Sequence, residues 1–158
     1  MQGLLKRTLL LSFVFITACL EEQNILNGTV VKIADGDTLT LLTADKKRHR
    51  IRLGEIDAPE RKQDYGRASQ KALTALCAKQ KALVRILDTD QYDRIVGRVE
   101  CNGVDVNEEQ VRTGMAWVYP QHVRDHSLYA LQDQAKKDNK GLWQDKTPIP
   151  PWEYRKRF

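Results

Sequence analysis

Cysteine, histidine and methionine are all scarce in this chain: three, three and two among 158 residues, with no C-x-x-C pair. That scarcity removes zinc ribbons and knuckles, which need cysteine and histidine at tight spacings. No segment repeats and none is of low complexity, so a solenoid is excluded and one domain of ordinary size remains. Long apolar runs are missing too, with one exception between Thr8 and Ala18. That run is too short to cross a bilayer comfortably.

Lys6 and Arg7 precede the run, which is the layout of an export leader spanning residues 1–18. It ends in Ile16-Thr17-Ala18-Cys19, which resembles the cleavage box of bacterial lipoproteins, with Cys19 as the lipidated residue. A plain secretory leader with an incidental cysteine is the other reading. Either one places the mature protein outside the cytoplasm: at the outer membrane if lipidated, since Leu20 after the cysteine resembles that sorting pattern, and periplasmic or secreted if not. Residues 19–26 read as a tether. Without Lys6 and Arg7 the 26 basic residues become 24 against the same 21 acids, a net charge of +3 and a mild bias towards polyanions. Cys77 and Cys101 then remain, an even count in an oxidising compartment. They are either one disulfide or two independent buried thiols.

From Asn27 the pattern is β: GTVVKIA, the turn-forming Asp35-Gly36-Asp37, then TLTLL. In KRHRIRLGEI, Arg48, Arg50 and Arg52 alternate with His49, Ile51 and Leu53, a strand with one basic and one apolar face. ALVRILD and RIVGRVE supply two further strands. The periodicity predicts helices over 65–80, with a stripe of Ala68, Ala72, Leu73, Ala75 and Leu76, and over about 127–139, with Leu128, Leu131 and Ala135. A third should begin at Asn107 as N-cap, with Gln110 three residues on and Gly114 as the stop. The order is that of a mainly β, α+β chain: a five-stranded OB-fold barrel with about three packed helices over 27–146. The Pro-rich basic segment 147–158 should lie across the surface as a tail, with Arg155, Lys156 and Arg157 either frayed or touching phosphates.

The chemistry concentrates in RLGEIDAPE. Asp37 in one tight turn and Asp57 beyond a neighbouring strand can face a common hard cation such as Ca²⁺, with the Ala58 carbonyl as a third oxygen. Pro59 fixes one φ and steadies that carbonyl. Taken singly, each acid is an ordinary turn residue. Arg52 and Arg94 can grip the non-bridging oxygens of a phosphodiester, and Glu60 can take a proton from water. Alone, Arg94 reads as a surface ion pair with Asp90 or Asp93. His122 and His126 read as a solvated helix entry, and Arg48 and Arg50 as the border of a nucleic-acid path or a plain exposed face.

ADGDTLTLL, RIRLGEIDAPE, YGRAS, DQYDRIVGRVECNGVDVNEEQVRTGMAWVY and NKGLW, in this order, resemble the staphylococcal-nuclease-like (thermonuclease) family from about Asn27 to Trp143. The resemblance implies an OB barrel and Ca²⁺-dependent cleavage of DNA and RNA to 3′-phosphate ends. It makes Asp37, Asp57 and the Ala58 carbonyl the calcium ligands and Asp35 an outer acid. It makes Arg52 and Arg94 the phosphate-binding pair and Glu60 the general base. Tyr92, Trp117 and Tyr119 fall at or near its nucleotide-stacking positions, with core packing the alternative reading for each. Where the family has YGR this chain has YDR, so Asp93 stands beside Arg94 at a position whose backbone angle Asp can tolerate. The whole is expected to be a monomeric, sugar-nonspecific endonuclease. A noncatalytic nucleic-acid-binding lipoprotein of the envelope is the alternative.

Overall fold

The computed structural model describes residues 24–157, so the leader and the Cys19 anchor lie outside the described residues. In chain order the elements are β1 (Ile25–Ile33), β2 (Thr38–Leu42), β3 (Arg48–Leu53), β4 (Ile56–Asp57), α1 (Gly66–Cys77), β5 (Lys81–Thr89), β6 (Ile95–Cys101) and β7 (Val104–Asp105). They continue with α2 (Val106–Arg112), β8 (Trp117–Val118), α3 (Ser127–Lys137), a 3-10 turn (Gly141–Gln144) and α4 (Pro151–Arg157).

The five long strands β1, β2, β3, β5 and β6 form the barrel. β1–β2–β3 is an antiparallel meander, and β5 pairs with both β1 and β6. Parallel pairing of β3 with β6, Ile51 opposite Ile95 and Leu53 opposite Gly97, closes the ring. Closure removes most of the exposed edge that an open sheet would carry. Inward positions recur with period two: Leu39, Leu41, Ile51, Leu53, Val84 and Val99 are all buried. β1 begins at Ile25, inside the stretch expected to be tether, because Ile25 and Leu26 pair with Arg85 and Val84.

The helices stand where periodicity placed them, with different faces and caps. In α1 the buried line is Gly66, Ser69, Leu73 and Cys77, while Ala68 and Ala75 face solvent. A one-residue rotation of the stripe favours the disulfide between Cys77 and Cys101 (Cα–Cα 5.5 Å), which ties the end of α1 to β6. The N-cap of α2 is Asp105, whose carboxylate accepts from the Glu108 amide, not Asn107. Asn107, the second residue of the helix, is fully buried and joins it to the barrel, accepting from Val99 N–H and donating to the Gly54 carbonyl. Leu128 and Ala135 bury the inner face of α3. His126 is its N-cap and His122 lies outside it, both exposed, so the two do not share a helical face.

The C-terminal segment departs furthest from expectation. It is no frayed tail: Pro151 opens α4 from the first helical position, where its missing N–H costs nothing. No helix among the described residues is long and apolar enough to cross a membrane.

Candidate active site

The Asp35-Gly36-Asp37 turn joins β1 to β2. Its conformation is fixed from within, by the Asp37 amide on Asp35 Oδ1 (3.1 Å), and from behind, by Gln110 Nε2 on the Gly36 carbonyl (2.6 Å). Gly36 has no alternative here, because a Cβ would run into the Ser69 hydroxyl of α1. The same turn meets the end of β3, where Leu53 N–H donates to the Asp37 carbonyl (2.8 Å). Asp37 Oδ2 then accepts from the Ala58 amide (2.9 Å), and Oδ1 from the Thr38 hydroxyl (3.0 Å). Two turns distant in sequence are thereby brought to one place.

Asp57, 1% exposed, sits on β4 against β8. Arg52 Nη2 lies 2.8 Å from Asp57 Oδ1 and 3.6 Å from Asp37 Oδ2, so one guanidinium bridges the two acids. Its Nη1 is spent on the Leu53 and Ile56 carbonyls (2.9 and 3.0 Å), which fixes the side chain rigidly. All of these groups line one open cavity of about 700 Å³, together with Glu60, Tyr92, Arg94 and Tyr119.

The acids outweigh their partners. Burial, reinforced by the charge of Asp37, pushes the Asp35 carboxyl up to about 6. Asp57 is also raised, first by burial and then by Asp37, although hydrogen bonds from Arg155 and the charges of both arginines pull the other way. Among the described residues no three His, Cys, Asp or Glu side chains converge as a ready ligand set. Around Arg52 the cleft offers two neighbouring carboxylates and a third behind them, while His122 lines its wider wall. That donor set fits a hard cation, which completes its shell with water and carbonyl oxygens. Ala58 meets Asp37 through its N–H.

Arg94 reaches the same cleft from β6, one residue before the Ile95 that pairs with Ile51. It does form the ion pair with Asp90, Nε to Oδ2 at 2.7 Å, and packs its guanidinium over the Tyr92 ring at 5.6 Å. Asp93 adopts φ +55°, the left-handed angle that glycine would hold in the family pattern. Tyr92 is 65% exposed and open to stacking. Tyr119 also lines the cleft, with Arg52 at 5.9 Å from its ring centre. Trp117 does not. It packs edge-on against Trp143 (4.4 Å) and Trp152 (5.8 Å), the core packing given as its alternative reading, because β8 turns this ring towards α3 and the 3-10 turn.

Two groups at the cleft go beyond the expectation of a surface tail. Arg155 of α4 lies with Nη2 at 2.8 Å from Asp57 Oδ2 and Nη1 at 2.8 Å from Glu60 Oε1. Trp152 stacks on Tyr119 at 5.4 Å with planes 17° apart. The proline cluster and the WEYRKR composition were the signals available, and only a packed helix would have given them meaning.

Residues 50–145 match the family described as Staphylococcal nuclease homologue. An "Uncharacterized endonuclease" of Escherichia coli is 44% identical over 133 residues, covering 84% of this chain and 86% of its own length. One of Haemophilus influenzae bearing the same description is 39% identical over 154 residues, covering 98% and 85% respectively. A "Micrococcal nuclease" of Shigella flexneri is 32% identical over 140 residues, covering 82% and 80%.

Proposed function

The chain belongs to the staphylococcal nuclease family, and on that premise we propose that it is a calcium-dependent, sugar-nonspecific endonuclease that hydrolyses DNA and RNA to 3′-phosphate products. The observation that carries this reading is the single Arg52 guanidinium bridging Asp37 and Asp57 on a cleft that Arg94 and Glu60 share.

Asp37 and Asp57 would hold the ion, with Asp35 as an outer acid and the Ala58 carbonyl as a further oxygen. Calcium bound there supplies Lewis-acid polarisation of a phosphoryl oxygen and neutralises charge that develops on it. The protein's own groups do the rest. Arg94 spends Nε on Asp90, which leaves its Nη fork for the phosphate as negative charge builds on the equatorial oxygens. Arg52, immobilised by two backbone carbonyls, acts as a fixed positive charge beside the same oxygens. Glu60, 41% exposed at the side chain, is within reach of solvent and takes the proton of the attacking water. Tyr92 and Tyr119 offer stacking faces that accept any base. Phosphate and sugar contacts carry no sequence information, so cleavage is nonspecific. We place the protein, as a monomer, at the outer membrane through lipid on Cys19.

Digestion of supercoiled plasmid and of RNA with Ca²⁺, with Mg²⁺ and with chelator tests this. Cutting that stops in chelator, returns with Ca²⁺ and leaves 3′-phosphate ends is expected. Cutting indifferent to chelator contradicts the metal role, and binding without any cutting assigns the protein to the noncatalytic alternative.

A further inference from the structure

Three prolines, Pro148, Pro150 and Pro151, stiffen the approach to α4, and Gln63 Nε2 holds it from the Glu60 side by donating to the Ile149 carbonyl (2.6 Å). Pro151 is buried. Trp152 stacks on Tyr119, and Arg155, three residues later, falls on the same helical face. α4 is therefore packed beside the cleft, not a loose end, and sends Arg155 into its lining. Arg155 itself is different: its side chain is 41% exposed, and it is held by carboxylates of Asp57 and Glu60 at the cleft surface.

From this arrangement we propose that Arg155 is a phosphate-binding residue of the cleft, whose guanidinium moves from Asp57 and Glu60 to a phosphate of the bound strand. The proposal rests on the nuclease reading above. Charge is the first reason. Seven carboxylates line the cavity, Asp35, Asp37, Asp57 and Glu60 among them, against the guanidiniums of Arg52, Arg94, Arg124 and Arg155. Without Arg155 a polyanion would meet those seven acids balanced by three arginines. Mobility is the second. Arg52 is locked by main-chain carbonyls, so its fork cannot turn freely, while Arg155 exchanges one set of anionic oxygens for another of matching bidentate geometry. Packing is the third. Only a side chain has to rotate, with the Trp152–Tyr119 stack left in place, which favours a ligand-binding arginine over a helix that lifts away to uncover the site.

The test is fluorescence anisotropy of a short labelled single-stranded oligonucleotide in chelator, where nothing is cut, with the purified protein and its Arg155→Ala and Arg155→Lys variants. Arg155→Ala should bind about tenfold more weakly. Its dependence of log affinity on log salt should be shallower by about 0.7, the counterion release of one phosphate contact on a single strand. Arg155→Lys should restore the slope but only part of the affinity, since an ammonium is a point charge without the fork. Unchanged affinity and slope in Arg155→Ala would overturn the proposal. Tighter binding would overturn it too, by showing that Arg155 covers the site. The two readings fail separately: an uncleaving wild type that still loses affinity on Arg155→Ala sinks only the nuclease, and a cleaving one indifferent to Arg155→Ala sinks only this inference.

Discussion

Two arginine-and-acid clusters stand on this barrel, and only one lines the cleft with its arginine. Arg98 donates to Asp105, Glu108, Glu55 and Asp125, using Nε once and each Nη twice, so all five of its N–H groups are spent. Glu55 in turn accepts from the Arg124 and Asp125 amides with its other oxygen. Burial works against the Arg98 charge, but the hydrogen bonds it donates to Asp105, Glu55 and Asp125 outweigh it and hold the guanidinium firmly protonated. The network is closed and binds α2 and the approach to α3 onto β6. At Arg52 the acids remain in excess, Asp35 is driven up to about 6, and the surroundings open into a cavity. Similar residue types thus serve opposite ends. A saturated charge cluster fixes structure, and one left with unspent charge beside open volume can bind and react.

The largest effect expected is at the closed cluster. Arg98→Ala leaves the Glu55 carboxylate buried without its cation and should cost about 3–5 kcal/mol of stability in urea unfolding. A loss under about 1 kcal/mol would show that this network is no more than a surface array. Arg94→Ala inverts the pattern. It should lower the cleavage rate about 10²- to 10³-fold, while the loss of the Asp90 pair costs about 1 kcal/mol or less. Equal rates with a large stability loss would move Arg94 into the structural class.

The smallest effect sharpens the electrostatic half of the comparison. Folded Asp35 holds its proton up to about pH 6, whereas its ordinary value is 3.8. Between those values the folded state binds more protons than the unfolded one, so Asp35 subtracts from stability progressively as pH rises, with the full penalty present above about 6. In chelator, Asp35→Asn should therefore gain in melting temperature over wild type as pH goes from 4 to 6. A difference that stays flat across that range would show that neither burial nor the charge of Asp37 raises Asp35.

The strands were legible because period-two alternation needs only local sequence, as in Arg50-Ile51-Arg52-Leu53. The pairing of Asp37 with Asp57 was legible for a related reason: each acid follows a turn signal next to a strand, and neighbouring strands of a meander must meet. Other features depend on contacts made far along the chain. Asn107 looked like a cap from its neighbours, but its amide answers Gly54, 53 positions away. Arg155 reaches Asp57 across 98 positions; the basic run of WEYRKR suggests a phosphate contact but not that partner. Trp117 carries the same ambiguity as any aromatic, since β alternation does not say which side of a two-residue strand holds solvent.

The most direct trial of the open cluster is the nicking rate of supercoiled plasmid in Ca²⁺ by Asp37→Asn protein, with thermal unfolding of the same sample to show the barrel intact. A drop of about 10²-fold or more at preserved folding is the expected result. Undiminished nicking by the folded variant would mean that the bridged Asp37–Asp57 pair does not form the reactive centre.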